Sequence, residues 1–148
     1  VENSSGTIHL ETFDGDIFVY NSEPLDTGDV LTIKANNSIY LQSVSHSIIE
    51  ANSTSGSITY SGEIQTDGQY SFKNNKGNIA LSIPEESSCM VEVLVQKGRF
   101  SFIDLPIKVI TENKSPVSVQ KIVGQMGEGE ATINIVSASG RILIRKLK

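Results

Sequence analysis

Apolar residues recur about every 20 positions in this chain, and this spacing restricts the fold more than any other feature. Each recurrence lies in a short segment where apolar and polar residues alternate, which is the period of a half-buried β-strand. The clearest series consists of Ile17, Ile39, Ile58, Ile79, Phe100, Val119 and Ile142. A fixed period of this length is typical of a solenoid, because one repeat buries its apolar face only by stacking on its neighbours.

Two further series run beside the first. The second consists of Ile8, Val30, Ile48, Tyr70, Val91, Val109 and Ile133. The third, which is looser, consists of Leu25, Val44, Ile64, Ile83, Leu105 and Val123. Three interleaved series predict three sides per turn and about seven coils of about 20 residues.

Most of the 12 glycines stand just before these alternating segments, as Gly6, Gly77 and Gly140 do. Glycine reaches the backbone angles that a sharp corner requires, so the pattern indicates a turn followed by a strand. Asn37 precedes the segment Ile39–Leu41, where it is expected to take the same place because asparagine tolerates left-handed backbone angles. Residues 84–88, which include Pro84, are expected to form a corner loop rather than a helix.

The predicted fold is an all-β, single-stranded, right-handed parallel β-helix, since connections between parallel strands are almost always right-handed. An antiparallel β-sandwich is the alternative, because turn signals every 8 to 12 residues also suit that architecture. The chain begins at Val1 rather than methionine. We therefore expect residues 1–148 to form a single β-solenoid domain of a longer chain.

The segment from Gly77 to Pro84, followed by Val91-Glu92-Val93 and then Lys97–Phe100, resembles the bacterial putative-adhesin domain family, which is formally of unknown function. The closing run Gly140–Ile144 is similar to the last coil of that family. The resemblance implies a β-solenoid in an extracytoplasmic setting, at a cell surface or secreted, and it implies no catalytic residues. Residues 114–129 depart from the family pattern, because Gly124 and Gly127 fall outside the repeat.

Nucleophilic and zinc chemistry find little support in the sequence. The chain has only two histidines, His9 and His46, and no Gly-x-Ser-x-Gly elbow. Both histidines are predicted to be solvated, and Cys89 is predicted to be a small buried hydrophobe. One cysteine and two distant histidines do not supply the three or four ligands of a zinc site. The sequence thus predicts no catalytic, cofactor-binding or metal-binding residue.

Acidic residues cluster near the start of the chain. Asp14 and Asp16 flank Gly15, and Asp26 and Asp29 follow about one turn later. On adjacent coils such carboxylates could cleave polysaccharide, which makes a carbohydrate-active enzyme the alternative function, or they could bind calcium. The simpler interpretation is that aspartate accepts hydrogen bonds within turns.

The two halves of the chain carry opposite charge. Residues 1–67 contain ten acidic residues and one basic residue, whereas residues 68–148 contain seven and eleven. In a solenoid the order of the sequence is the order along the axis, so one end should be acidic and the other basic. This polarity predicts head-to-tail self-association. A nucleic-acid partner is not expected, because the chain is acidic overall and its only basic cluster, at the C-terminus, is short.

Three tyrosines at 20-residue intervals, Tyr20, Tyr40 and Tyr60, are predicted to form an outward-facing aromatic ladder. Such a ladder stabilises the surface of a coil, and it could also bind sugar rings. The hypothesis for function is therefore a non-enzymatic, adhesion-like structural or binding module at a cell surface. Its expected partner is a protein or a polysaccharide.

Overall fold

All regular structure in the described part of the chain is β-strand. The computed structural model describes residues 2–26, 28–65, 67–103, 107–114 and 120–147. The strands are β1 (Glu2–Ser5), β2 (Ile8–Thr12), β3 (Ile17–Glu23), β4 (Val30–Ala35), β5 (Ile39–Val44), β6 (Ile48–Ser53), β7 (Ile58–Ser61), β8 (Gln69–Lys76), β9 (Ile79–Ile83), β10 (Cys89–Ile103), β11 (Lys108–Lys114), β12 (Gln120–Met126) and β13 (Ala131–Lys146). Within this part of the chain, no helix has the length and apolar character needed to cross a bilayer.

The strands stack in two parallel ladders joined by the long strands β10 and β13. Ladder 1 contains β1, β3, β5, β7 and β9, followed by the C-terminal halves of β13 and β10. Ladder 2 contains β2, β4, β6 and β8, followed by the N-terminal halves of the same two strands. Each coil therefore contributes one strand to each ladder.

The register confirms the predicted fold class. Ile17, Ile39, Ile58 and Ile79 are direct partners in successive parallel strands, and Ile142 and Phe100 continue the row. Neighbouring strands of the antiparallel sandwich would run in opposite directions, so that alternative is excluded. Ladder 1 is seven strands deep in the described residues, as the seven predicted coils require. Val119 lies outside the described residues.

The third predicted side is formed by turns and strand ends instead of a third ladder. Leu25 lies in the turn after β3 and is 71% exposed, whereas Val44 and Ile83 are the last residues of strands in ladder 1. Ile64 lies in the turn after β7, and Leu105 is outside the described residues. The described turns on this side are rich in polar residues and do not form a continuous ladder of backbone hydrogen bonds. Their apolar residues nevertheless recur about once per coil.

The second series is displaced by one residue in two coils. Ile8 pairs with Leu31, which pairs with Ile49, so these residues point inward rather than Val30 and Ile48. A shift of one residue exchanges the two faces of a strand. Apolar residues stand at both positions in β4 and β6, and the sequence alone did not distinguish them.

The last two coils do not follow the order of the sequence. Strand β13 lies between β8 and β9 on one side and β10 on the other. Strands β11 and β12, which include Val109 and Val123, instead form an antiparallel hairpin on the N-terminal half of β10. The predicted irregularity over residues 114–129 corresponds to this departure from the solenoid. Ser88, in the turn before β10, anchors the returning chain, because its carbonyl accepts a 3.0 Å hydrogen bond from Ala131 N.

Glycine is required where the chain passes from ladder 2 to ladder 1, because the corners of successive coils touch. A Cβ on Gly77 would lie 2.5 Å from the carbonyl oxygen of Gly56. A Cβ on Gly56 would overlap the backbone of Asn37, and one on Gly140 would overlap the carbonyl of Gly77. The predicted glycine corners are confirmed at these positions. Asn37 occupies the corresponding corner of its own coil, but the prediction that it adopts a left-handed backbone angle was wrong.

Buried polar side chains next to this corner form hydrogen bonds with its backbone carbonyl and amide groups. Ser53 Oγ donates to Asn37 O over 2.6 Å and accepts from Gly56 N over 3.0 Å. In the next coil Asn74 Nδ2 donates to Gly77 O over 3.0 Å. Polar residues therefore enter the interior where a tight corner leaves carbonyl and amide groups to be paired.

Candidate functional site

The two histidines lie in different environments. His9 is exposed as predicted, with Nε2 3.8 Å from Glu11 Oε2. The prediction for His46 was wrong, because its side chain is 0% exposed and its Nε2 lies 2.7 Å from Gly6 O. The turn after β5, which contains His46, packs against the turn that contains Gly6. The two residues are 40 positions apart in the sequence, so the polar run around His46 gave no indication of this contact.

Cys89 begins β10 and is buried, which confirms the predicted role of a small hydrophobe. Burial raises the pKa of its thiol to about 11. The neutral thiol predominates at physiological pH, and it does not have the character of a nucleophile.

The acidic residues predicted to lie in turns do lie there. Asp29 Oδ2 accepts hydrogen bonds from Leu25 N (2.9 Å) and Asp26 N (2.8 Å), and Oδ1 accepts from Thr7 Oγ1 (3.1 Å). The bond from Asp26 N is the main cause that lowers the pKa of Asp29, and His46 contributes. Asp16 Oδ1 accepts from Ser38 N over 2.9 Å. No group of three potential metal ligands occurs among the described side chains.

The prediction of an outward-facing ladder of Tyr20, Tyr40 and Tyr60 was wrong for Tyr60. Tyr60 is buried, and its hydroxyl donates to Glu63 O over 2.7 Å. The aromatic stack on the outside of ladder 1 contains Phe18 instead, with its ring centroid 4.7 Å from that of Tyr40 and 6.3 Å from that of Tyr20. Tyr40 pairs with Phe18 because partners in successive strands of ladder 1, from β1 to β9, are 18 to 22 residues apart, so a spacing of 20 does not bring Tyr20 opposite Tyr40.

A polar groove lies next to the aromatic stack, near the C-terminal ends of β1, β3 and β5. These strands belong to the acidic end of the column. Asn3, Asn21 and Ser43 occupy equivalent positions in β1, β3 and β5, and all have left-handed backbone angles, with φ of 52°, 52° and 55°. In this conformation two consecutive side chains, such as those of Tyr20 and Asn21, point outward, and the next side chain points inward. Asn21 Nδ2 donates to Asn3 Oδ1 over 3.3 Å.

The groove has a volume of about 410 Å³, and every side chain that lines it is polar. The lining residues are Asn3, Ser4, Ser5, Asn21, Ser22, Glu23, Ser43 and Ser45. They provide amides, hydroxyls and one carboxylate, which together can donate and accept hydrogen bonds without a strong net charge. We call this set the serine–asparagine groove.

One wall of the serine–asparagine groove contains an unsatisfied buried group. Ser22 is 1% exposed, and its Oγ has no hydrogen-bond partner among the described residues. In the same part of the column, His46 Nδ1 also has no partner among those residues. Buried hydroxyl groups are normally paired, but Ser22 Oγ points into the interior of the column, in register with the buried Val44 of β5, and it is not accessible from the groove.

The sequence alone does not reveal this groove. The intervals between Asn3, Asn21 and Ser43 are 18 and 22 residues, and this repetition of the coil period was the available signal. This signal is weak because small polar residues are frequent throughout the chain.

The fold and the groove together define a β-solenoid domain with an exposed, repetitive polar face. Residues 4–145 match the family described as Toastrack DUF4097, and the chain belongs to this family. The family is one of unknown function, and the match assigns no catalytic activity.

One similar solved structure is described as a putative cell adhesion protein from Clostridium sporogenes ATCC 15579. It aligns with a TM-score of 0.46 and 14% sequence identity, over 83% of this chain and 58% of that one. This chain thus spans less than two thirds of that structure. No curated protein matches the chain significantly.

Proposed function

We propose that this chain is a non-enzymatic, adhesion-like binding module that presents the outer face of ladder 1 at a cell surface. The observation that supports it is the serine–asparagine groove beside the aromatic stack of Phe18, Tyr20 and Tyr40. Aromatic rings next to convergent amides and hydroxyls form the type of surface that anchors a ligand. The partner is a protein or a polysaccharide of the cell surface.

The ladder beneath this face suits a binding role because it is rigid. Val19, Leu41 and Tyr60 lie in one buried row behind the aromatic stack, in register across β3, β5 and β7. Burial of each such side chain stabilises the fold by roughly 1.5–3 kcal/mol. A preformed surface loses little conformational entropy when it binds.

Two of the four carboxylates considered for an enzyme, those of Asp16 and Asp29, are engaged in turns. Asp29 accepts three hydrogen bonds and Asp16 accepts one from the next coil. A general acid or base must reach a substrate proton, and these carboxylate oxygens are already directed at groups of the chain itself. Binding without catalysis is therefore the function that the site favours.

Binding to cell envelopes tests the proposal. The labelled chain is incubated with envelopes from cells that produce it, and the bound fraction is measured against concentration. We expect saturable binding that Glu23→Gln weakens, because Glu23 lines the groove. Glu50→Gln, the same change on an exposed residue of ladder 2, is the matched control and should bind normally. Absence of saturable binding, or equal loss in both variants, would contradict the proposal.

The two ends of the column provide a second contact, with another copy of the chain. Among the described residues, no strand pairs with the outer edges of β1 and β2 at the acidic end or with the outer edge of residues 99–103 in β10 at the basic end. Ile103 on that edge is 50% exposed. Unpaired edges invite strand pairing, and opposite charges favour the head-to-tail orientation.

A further inference from the structure

We infer that the basic half of the outer face of ladder 1 binds the carboxylate or phosphate groups of an anionic polysaccharide. The residues that support this inference are Arg99, Arg141 and Arg145, with Lys76 and Lys97 beside them. We call these five residues the corner patch. The inference rests on the proposed binding function and specifies the chemistry of the partner.

The arginines of the chain are concentrated on one surface. All three, Arg99, Arg141 and Arg145, lie in β10 and β13, which are neighbours at the basic end of ladder 1. Along β13 they alternate with the buried Ile142 and Ile144, so these side chains point outward, and all three arginines are exposed. A guanidinium group presents a fork of N–H donors that matches two oxygens of a carboxylate or phosphate.

Two of these arginines repel each other in the isolated chain. Arg99 and Arg141 are direct partners in adjacent parallel strands, which lie about 4.8 Å apart. Like charges directly opposite each other on a sheet are destabilising. An anion bound between the two guanidinium groups would replace this repulsion with two attractive contacts, so binding should stabilise the fold.

This half of the face carries no acidic residue. It is formed by four strand segments, which are residues 58–61, 79–83, 141–146 and 99–103. None of these segments contains aspartate or glutamate. Within the described part of the chain, none of the three arginines forms an ion pair. The positive charge is therefore available to a ligand.

Arg145 is oriented by a neutral group. Its Nε donates to Ser82 Oγ of the neighbouring strand β9 over 3.0 Å. This bond fixes the plane of the guanidinium group without neutralising its charge, and it leaves the two terminal nitrogens to bind an anion. An arginine that is held in place before binding loses less conformational entropy when a ligand arrives.

Two lysines extend the corner patch around the edge of the column. Lys76 and Lys97 are the partners of Ser139 on the two strands beside β13, and both are exposed. They stand just before the glycine of their corners, at the end of ladder 2, whereas Arg99 and Arg141 directly follow the corner glycines. The positive charges therefore lie on both sides of a convex edge. A flexible polyanion can follow this edge, but a flat bilayer contacts only one side at a time.

The spacing of the arginines favours a ligand with repeated anionic groups. Arg141 and Arg145 are four residues apart on one strand, which corresponds to about 13 Å. A single carboxylate or phosphate reaches only one of these positions, whereas a polymer with an anionic group on each repeat reaches both. Two weak contacts to one polymer combine into a tighter interaction.

Isothermal titration calorimetry of the full chain tests the inference. The anionic ligands are hexagalacturonate, which carries carboxylates, and a phosphomannan oligosaccharide, which carries phosphates; maltohexaose is the neutral counterpart. We expect at least one anionic ligand to bind and maltohexaose to bind at least about tenfold more weakly. The affinity should fall when the salt concentration rises from about 0.05 M to about 0.5 M. Failure of both anionic ligands to bind at millimolar concentration would overturn the inference, as would equal binding of maltohexaose.

A double variant separates a ligand contact from a structural role. Arg99→Gln with Arg141→Gln should weaken binding of the anionic ligand about tenfold or more. Its melting temperature without ligand should stay equal or rise, because the repulsion between the two charges is removed. Lys34→Gln with Lys73→Gln removes the same number of exposed charges from the outer face of ladder 2 and should bind normally. Normal binding by the arginine double variant would refute the inference.

Vesicles test the choice of a polysaccharide over a lipid surface. The chain is sedimented with vesicles of phosphatidylglycerol and phosphatidylcholine, and we expect weaker binding to these vesicles than to the anionic oligosaccharide. Tighter binding to the vesicles, if the arginine double variant loses it, would assign the corner patch to a membrane surface and overturn the inference.

Treated envelopes distinguish this inference from the proposed function. Periodate cleaves the vicinal diols of glycans, so both periodate and the arginine double substitution should reduce saturable envelope binding, whereas protease should not. Binding that survives periodate and the double substitution but is lost after protease treatment would overturn the inference and leave the proposed function standing. Envelopes that bind nothing before any treatment would contradict the proposed function itself.

Discussion

Asp29 is the residue whose hydrogen bonds most clearly define a turn. Three donors, Leu25 N, Asp26 N and Thr7 Oγ1, converge on its carboxylate, and Thr7 belongs to the preceding turn of the solenoid. The aspartate therefore closes its own turn and ties it to an adjacent one. A turn aspartate was predicted here from residue preference, whereas the contact with Thr7 depends on the stacking of coils.

Asp29→Ala should lower the melting temperature at pH 7 by roughly 2–5 °C. The pKa of Asp29 is lowered from 3.8 in the folded chain, so folding favours its ionised form. Its contribution is complete above the unfolded pKa and is lost as the pH falls through the folded pKa. The difference from the parent chain should therefore shrink at about pH 2.

Thermal unfolding followed by circular dichroism measures this effect. Asp14→Ala, a change in a neighbouring exposed turn, is the matched control and should unfold like the parent chain. A difference between Asp29→Ala and the parent that is equally large at both pH values would show that the charge is not involved.

The coil is the element that decides the stability of the column. Its corner carries glycine because successive corners are in contact, and its inward side carries the apolar rows of both ladders. Coils that vary in length by up to four residues still stack, since partners in successive strands of ladder 1 are 18 to 22 residues apart from β1 to β9.

Gly77 and Gly15 separate the two reasons for glycine at a corner. Both have positive φ, 106° and 109°, but a Cβ on Gly15 would meet nothing within 4 Å. Gly15→Ala should therefore cost only the backbone strain, about 1 kcal/mol of unfolding free energy. Gly77→Ala adds a collision with Gly56 O and should cost about 3 kcal/mol or more.

Urea unfolding of the two alanine variants measures these free energies. Equal losses would show that backbone conformation alone accounts for the glycine corners, and that a Cβ on Gly77 does not collide with Gly56 O.

The whole molecule is an electrostatically polar column. The described part of residues 1–67 forms the coils at the acidic end, and the described part of residues 68–148 forms the other end, including the inserted strand β13 and the hairpin. β13 lies before β10 along the column although it follows β10 in the sequence. Both strands belong to the basic half, so this exchange leaves the charge polarity of the column intact. Some basic residues are engaged locally, as in the 3.0 Å pair of Lys146 Nζ with Glu85 Oε2.

Head-to-tail association should appear as a mass that increases with concentration in about 0.02 M salt and decreases in about 0.5 M salt. Arg99→Glu reverses a charge beside the exposed edge of β10 and should weaken this association. Lys73→Glu reverses an exposed charge in the middle of ladder 2 and is the matched control. Light scattering gives the mass, and a monomer at high concentration in both salts would rule out this mode of association.

The sequence by itself determined the class of fold, the glycine corners and the separation of charge. These features depend on local rules, because alternation defines a strand, glycine permits a corner, and a constant period forces equivalent residues to stack. Cys89 and the turn aspartates were predicted correctly for the same reason. The extent of the domain within a longer chain stays a prediction.

Only the tertiary structure decided which residues meet. The insertion of β13, the burial of His46 and Tyr60, and the groove with Ser22 at its wall all depend on contacts between distant segments. A period of about 20 leaves the register uncertain by one residue, and one residue exchanges the inside of a strand with the outside. The side chains presented to a ligand are therefore fixed by how coils of unequal length align, which the average spacing does not specify.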